Sequence, residues 1–222
     1  MYDFIRISCC VPAIEVADVT GNCEKIESQL RKAAKDGSTV AVFPELCLTG
    51  YTCQDLFFQN TLLEDCQAAI RHLAQVTEEL GIIAIIGSPL RLRGQLYNCA
   101  WILGDGSIQG IVPKTYMPNY GEFYEKRWFS TAEDWNSYGD CLDDLPELHI
   151  TSPENGLPYA VEVGSNVFTL PDGTRFGIEL CEDLWTPLPP STMLCLSGAE
   201  LIFNLSASNE TIAKRDYRRQ LV

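Results

Sequence analysis

The sequence lacks the features that mark several common functional classes. No run of about 18 apolar residues occurs, which argues against a membrane-spanning helix. Basic residues are few: the sequence has 16 Lys and Arg but 30 Asp and Glu, which gives a formal net charge of −14. A chain with this charge repels phosphate backbones and anionic lipid. The sequence therefore predicts no nucleic-acid partner and no membrane partner.

Signatures of metal sites and of secretion are also missing. The ten cysteines contain no Cys-x-x-Cys pair, and the only histidines are His72 and His149. Zinc sites use paired Cys or His ligands, so no metal is expected. Residues 1–6 resemble a short alternating strand rather than a signal peptide, which predicts a cytoplasmic protein. In that reducing compartment disulfides are not expected, and most cysteines should be small buried apolar residues.

What is present is typical of a globular protein. Hydrophobic residues make up 46% of the 222 residues and charged residues 21%, which excludes a disordered or collagen-like chain. The length allows one large domain or two small ones. Since no internal repeat or linker is evident, we expect a single domain over residues 1–222.

The first third of the sequence alternates between predicted strands and helices. Helical spacing of apolar residues predicts a helix that begins near Gly21-Asn22 and ends at Gly37, and a second helix over 62–80. Short apolar runs at 5–9, 39–43 and 82–86 predict strands. This βαβαβ order predicts a layered α/β fold.

The remainder is less regular. Two hairpins are predicted, one joining 96–103 to 108–112 and the other joining 167–170 to 175–180. A helix near 192–198, a strand over 201–205 and a helix over 213–221 follow. Residues 113–165 are rich in Pro, Gly, Asp and aromatics, so we expect an insertion or a functional lid there.

Three polar side chains follow predicted strand ends directly: Glu45, Lys114 and Cys181. Ligand crevices of open α/β sheets form at the carboxyl ends of strands. If these ends face one crevice, a thiol nucleophile, a carboxylate proton shuttle and an ammonium for an oxyanion converge, as acyl transfer from an amide requires. The alternative from position alone is a structural cysteine with two solvated charges at a sheet edge.

The local sequences around these residues resemble a known family. They include Phe43-Pro-Glu-Leu46, Leu48-Thr-Gly-Tyr51, Val112-Pro-Lys-Thr115, Asn119-Tyr-Gly-Glu-Phe-Tyr-Glu125, Glu179-Leu-Cys-Glu-Asp-Leu-Trp185, Asn204-Leu-Ser-Ala-Ser-Asn-Glu210 and Tyr217-Arg-Arg219. In this order and spacing they resemble the nitrilase, or carbon–nitrogen hydrolase, superfamily. More narrowly, they are similar to the glutaminase domains of glutamine-dependent NAD⁺ synthetases.

The resemblance implies a fold and a catalytic set. The fold is an α/β, nitrilase-like αββα sandwich. Cys181 matches the nucleophile, Glu45 the general base and acid, and Lys114 the lysine on the oxyanion side. Glu125 matches a second glutamate that the superfamily keeps near these three residues.

The resemblance also implies a substrate, L-glutamine, and residues that bind it. Glu182, directly after the nucleophile, would accept from the ammonium of glutamine, and Tyr120 is a similar candidate for binding this end of the substrate. Ser208 and Lys214 would bind its carboxylate. Tyr51 is expected to line the pocket, or else to be a packed aromatic.

Related glutaminase domains continue beyond this length, so we expect a chain truncated at its C-terminus. No Ser-Gly-Gly-x-Asp-Ser loop is present, so ATP and Mg²⁺ belong to a synthetase domain expected elsewhere in the same polypeptide. No cofactor is expected in this domain. The superfamily also implies a homo-oligomer.

Two other functions stay open at this point. One is a different amidohydrolase of the superfamily, acting on an ω-amide or a carbamoyl amine. The other is a catalytically inactive scaffold that keeps the fold but not the activity.

Overall fold

The computed structural model of the chain describes residues 4–132, 147–151 and 158–222. The elements are β1 (Ile7–Cys9), α1 (Val19–Lys35), β2 (Val40–Val42), α2 (Asn60–Leu80), β3 (Ile83–Leu92), β4 (Gln95–Gly104), β5 (Ser107–Pro113), β6 (Glu147–Thr151), β7 (Pro158–Glu162), β8 (Phe168–Thr169), β9 (Arg175–Leu180), α3 (Pro190–Leu196), β10 (Leu201–Leu205) and α4 (Lys214–Leu221). Short 3₁₀ turns span Gln54–Phe58, Glu125–Arg127 and Cys181–Trp185.

The predicted βαβαβ start is confirmed. Strands β1, β2 and β3 are parallel neighbours, and β4 and β5 extend the same sheet in antiparallel pairing. Helix α1 begins at Val19, two residues before the predicted start at Gly21-Asn22, because the Asp18 carboxylate accepts from the Gly21 N–H and caps the first turn. Helix α2 ends as predicted, at Gly81 in the left-handed conformation (φ 60°).

A second, three-stranded sheet has the order β10-β9-β8, with β9 and β10 parallel. It contains the predicted second hairpin, in which β8 pairs antiparallel with β9. The two sheets face each other across an apolar core that includes Ile85 and Ile102 from the first sheet and Ile178 and Leu205 from the second. Phe168 packs against Gly110, where a side chain would collide with its ring. The sheets therefore form the two central layers of the fold.

Helices cover the outer faces. Helices α1 and α2 pack on the first sheet, and their buried positions include Ile26, Leu30, Ile70 and Leu73. Helix α3 packs on the second sheet, where Leu194 lies against Gly177. The order of layers is therefore helix, sheet, sheet, helix.

Two predictions about the middle of the chain were incomplete. Strand β3 runs to Leu92, six residues beyond the predicted end, because the segment through Gly87 and Pro89 stays paired to β4 and buried. The 113–165 region holds the Glu125–Arg127 turn and the β6–β7 hairpin, and its residues 133–146 and 152–157 lie outside the described residues. Within the described ranges, none of the helices combines the length and apolar content needed to cross a membrane.

Candidate active site

The three predicted strand-end residues come from both sheets. Glu45 follows β2 and Lys114 follows β5 in the first sheet, whereas Cys181 follows β9 in the second. Alternation along β5 puts Lys114 on the same face as Val112, which lies in the core between the sheets. The carboxylate and the ammonium of one sheet therefore face the thiol carried by the other.

Lys114 lies between two glutamates. Its Nζ is 2.7 Å from Oε1 of Glu45 and 2.7 Å from Oε1 of Glu125, and all three side chains are buried. Burial alone would lower the pKa of Lys114, but attraction by Glu45 and Glu125 outweighs it and the pKa is raised. Burial, and then repulsion from Glu45, raise the pKa of Glu125. Lys114 is therefore held in its charged form.

Further donors hold the two carboxylates. The amide of Asn98 donates to Oε1 of Glu45 at 2.7 Å, and the main-chain N–H of Ala207 donates to its Oε2 at 3.0 Å. The hydroxyl of Tyr51 donates to Oε1 of Glu125 at 2.6 Å. Burial, followed by the charge of Glu125, raises the pKa of Tyr51, so it is a donor at neutral pH. Each carboxylate therefore has several fixed donors.

The position of Glu45 depends on a glycine in the neighbouring strand. A Cβ at Gly87 would lie 2.4 Å from the carbonyl oxygen of Pro44 and 2.4 Å from the main-chain nitrogen of Leu46. The main chain on both sides of Glu45 thus lies directly against Gly87. Only a residue without a side chain allows this approach.

Cys181 has a strained backbone. Its φ of 43° lies in the left-handed region, where non-glycine residues are uncommon, and a 3₁₀ turn begins at this residue. Such outliers cluster at functional sites, and a nucleophile at a sharp strand-to-helix turn is a recurring arrangement.

The sulfur of Cys181 is protonated at rest. Burial, followed by repulsion from Glu45, raises the pKa of Cys181 to about 12, although Lys114 and a hydrogen bond with Ser206 act in the opposite direction. The thiol therefore requires a base that removes its proton at the moment of attack. The electrostatic influence of Glu45 and Lys114 on this sulfur indicates that the three predicted groups share one site.

Asp183 ties the two sheets together beside the sulfur. Its carboxylate accepts main-chain N–H bonds from Tyr116 at 2.7 Å, Thr115 at 3.2 Å and Leu180 at 2.9 Å. The first two follow Lys114, and the third precedes Cys181. Burial raises the pKa of Asp183 to about 7, although these N–H groups lower it.

A pocket of about 240 Å³ opens above Cys181. Its lining also includes Tyr120, Phe123, Glu182, Trp185, Ser208, Lys214 and Tyr217. The Tyr120 hydroxyl donates to Glu182 at 2.8 Å. The Lys214 ammonium donates to the Ser208 hydroxyl and lies 5.2 Å above the Trp185 ring. Acidic and basic side chains thus occupy different parts of one pocket.

The predicted substrate residues Tyr120, Glu182, Ser208 and Lys214 all line this pocket. Tyr51 contacts Glu125 and, within the described chain, is not among the lining residues. Sequence reasoning missed Asn98 and Asp183. Asn98 interrupts an otherwise apolar strand, which is a signal, whereas nothing in the local pattern marked Asp183 beyond its place in the cysteine motif. No group of three or more potential metal ligands occurs among the described residues.

Comparison with known proteins identifies the family of the chain. The carbon-nitrogen hydrolase family model matches residues 6–221. A glutamine-dependent NAD(+) synthetase from Mycobacterium leprae is 34% identical over 221 residues, which cover 98% of this chain and 30% of the relative. One from Thermotoga maritima is 31% identical and matches 91% of this chain and 30% of its own length. The chain spans about a third of the length of these relatives.

Solved structures superpose on nearly the whole chain. A glutamine-dependent NAD(+) synthetase from Cytophaga hutchinsonii superposes with a TM-score of 0.77 at 27% identity, covering 99% of this chain and 33% of that one. An amidase from Nesterenkonia sp. superposes with a TM-score of 0.71 at 19% identity over 95% of this chain and 68% of its own, which bears on the fold alone. The predicted nitrilase-like fold is confirmed. With its family model matched from residue 6 to residue 221, the chain belongs to the carbon–nitrogen hydrolase family.

Proposed function

We propose that this chain hydrolyses the side-chain amide of L-glutamine through a thioester on Cys181. The observation that carries the proposal is the buried Glu45–Lys114 ion pair near Cys181, whose backbone is strained. Cys181 lines a pocket that also contains an acidic and a basic side chain, Glu182 and Lys214. The relatives that match nearly the whole chain are named glutamine-dependent NAD(+) synthetases. In a longer protein, the ammonia would supply an ATP- and Mg²⁺-dependent synthetase domain.

The first step is attack by the protonated thiol. As the sulfur of Cys181 bonds to the amide carbon, its proton passes to Glu45, because the free thiol is not ionised at neutral pH. The carbonyl oxygen becomes an oxyanion. Two of the three N–H bonds of Lys114 are directed to Glu45 and Glu125, which leaves the third for this oxygen, together with the main-chain N–H that follows Cys181.

The second step releases ammonia. The carbon–nitrogen bond breaks as Glu45 returns the proton to the leaving nitrogen, and a glutamyl thioester remains on Cys181. Water then attacks the thioester and gives a proton to Glu45. The carbon–sulfur bond breaks, Glu45 protonates the sulfur, and glutamate leaves the regenerated thiol.

The charges in the pocket support an α-amino acid as substrate. The ammonium of glutamine fits the acceptor Glu182, whose carboxylate is already held by Tyr120. The α-carboxylate fits the donors Ser208 and Lys214. An amide without these two charged groups gains neither interaction, so recognition should favour glutamine over simple amides.

Labelling of the active cysteine tests the proposal. An electrophilic glutamine analogue should add its mass to Cys181, and Cys181→Ala should abolish both labelling and glutamine hydrolysis. In the full-length protein, Cys181→Ala should still use ammonium salts. The proposal fails if that variant uses glutamine as well as wild type does.

Two outcomes of these assays would favour the alternative functions. Faster hydrolysis of a simple ω-amide or a carbamoyl amine than of glutamine would indicate a different amidohydrolase. Absence of labelling in the folded chain would indicate an inactive scaffold. The cytoplasmic location and the homo-oligomer are proposed with the same function.

A further inference from the structure

Asn98 is a polar residue in the middle of an apolar strand. It is fully buried in β4, and its main-chain carbonyl oxygen accepts the main-chain N–H of Lys114 at 2.8 Å. Alternation along β4 places it on the same face as Ala100 and Ile102, which belong to the core between the sheets. Asn98 and Lys114 are therefore neighbours on adjacent strands, on the face toward the thiol.

The side chain of Asn98 bridges both buried glutamates. Its Nδ2 donates to Oε1 of Glu45 at 2.7 Å and lies 3.4 Å from Oε2 of Glu125. Both partners are acceptors, so an amide turned the other way would place its oxygen against two carboxylates. The Oδ1 of Asn98 receives no hydrogen bond from the described residues.

This contact distinguishes the two oxygens of Glu45. Oε1 accepts from both Lys114 and Asn98, so both of its lone pairs are engaged. Oε2 accepts only from the main-chain N–H of Ala207 among the described residues. Oε2 therefore keeps one free lone pair.

We propose that Asn98 is a positioning residue that fixes Oε1 of Glu45 and leaves Oε2 as the oxygen that carries the proton. The inference rests on the proposed function, in which Glu45 exchanges a proton with Cys181. Without Asn98, one donor remains on each oxygen, Lys114 on Oε1 and the Ala207 N–H on Oε2, so the carboxylate turns more readily about its terminal bond. Proton transfer needs a fixed acceptor, so loss of orientation slows the chemical step rather than substrate binding.

The Oδ1 of Asn98, which has no donor among the described residues, supports a role beyond stability. A buried carbonyl without a donor costs free energy, and an apolar side chain of similar size at residue 98 removes this cost. The presence of an amide side chain at residue 98 is therefore better explained by its contacts with Glu45 and Glu125 than by packing. A purely structural asparagine provides the contrast: Asn22 is also fully buried and bonds to main-chain atoms of Glu15 and Leu48 through both ends of its amide.

The matched pair Asn98→Leu and Asn22→Leu tests the inference in the full-length protein. We expect Asn98→Leu to lower kcat for glutamine by about 10- to 100-fold with little change in KM. We expect Asn22→Leu to lower the unfolding midpoint more and kcat less. Should Asn98→Leu fail to fold, Asn98→Ala is measured in the same way.

Crystal structures of wild type and variant give a readout that does not depend on turnover. In Asn98→Leu the Glu45 carboxylate should rotate, with loss of the hydrogen bond from Ala207. An unchanged carboxylate, or kcat equal to wild type, would overturn the role of Asn98. If the wild-type protein does not hydrolyse glutamine, the proposed function fails. The role of Asn98 is then still decided by the orientation of the Glu45 carboxylate in the two crystal structures.

Discussion

The ammonium of Lys114 lies 2.7 Å from Oε1 of Glu45, and neither side chain is exposed to solvent. Removing two such charges from water is costly, and a buried pair is weak evidence of a contribution to stability. Glu125 adds a second carboxylate to the same ammonium, and its pKa is raised by burial and by Glu45. An arrangement so unfavourable for folding is typical of a catalytic site.

Removal of the cation from this cluster should be strongly destabilising. In Lys114→Met, two carboxylates stay buried without their cation, and we expect a loss of about 3–5 kcal/mol in the free energy of unfolding, with loss of turnover. Urea unfolding at pH 7 measures the change. Lys25→Met is the control: its pair with Glu15 is exposed, so its effect should be below about 1 kcal/mol. Equal effects of the two variants would contradict a buried pair.

Removal of the Glu45 charge should make Cys181 react faster with electrophiles and, at the same time, abolish amide hydrolysis. Burial, and next the Glu45 carboxylate, hold the pKa of Cys181 at about 12, so Glu45→Gln lowers this pKa and increases the thiolate fraction at pH 8–9. We therefore expect faster alkylation of Cys181 by a small neutral electrophile in Glu45→Gln, together with loss of amide hydrolysis. Peptide mass spectrometry follows Cys181 and the exposed Cys195, whose rate should be the same in both proteins. Slower alkylation of Cys181 in the variant would show that the carboxylate does not act on the sulfur in this way.

Much of the fold was predictable because its signals are local. The apolar face of α2 and the left-handed glycine that ends it are both visible in the sequence, as is the turn between β8 and β9. The start of α1 was placed late, since a capping aspartate precedes the first periodic apolar residue. The end of β3 was misjudged because Gly87 and Pro89 resemble strand breakers, although both are paired and buried there.

The site was only partly predictable, because its supports come from distant parts of the chain. Position after a strand indicated Glu45, Lys114 and Cys181, and the family resemblance added Glu125. The resemblance could not show that Asn98 bridges two glutamates, since that contact depends on the register of β4 against β5. Nor could it show that Gly87 allows the approach of the Glu45 backbone.

Gly87 should be the least replaceable glycine in the first sheet. In Gly87→Ala the new Cβ meets main-chain atoms at 2.4 Å on both sides of Glu45, so that segment must move. We expect lower stability and a fall in kcat of about 100-fold, because a displacement of about 1 Å is enough to misplace a catalytic group. Gly104→Ala serves as the control, since its Cβ meets only side-chain atoms at 3.5 Å or more. A variant with wild-type kcat would show that the segment yields without moving the carboxylate.

Asp183→Asn should change how stability depends on pH. The folded-state pKa of Asp183, about 7, lies above the ordinary value of 3.8, so the folded protein binds this proton more tightly than the unfolded chain does. Ionisation of this buried carboxyl therefore destabilises the folded protein. The loss of stability is absent below about pH 4 and complete above about pH 7. Unfolding free energies at pH 5 and pH 8 should show wild type losing stability relative to Asp183→Asn as pH rises, by up to a few kcal/mol. A difference between wild type and Asp183→Asn that stays constant from pH 5 to pH 8 would mean that the N–H groups of Tyr116, Thr115 and Leu180 keep the carboxylate charged despite its burial.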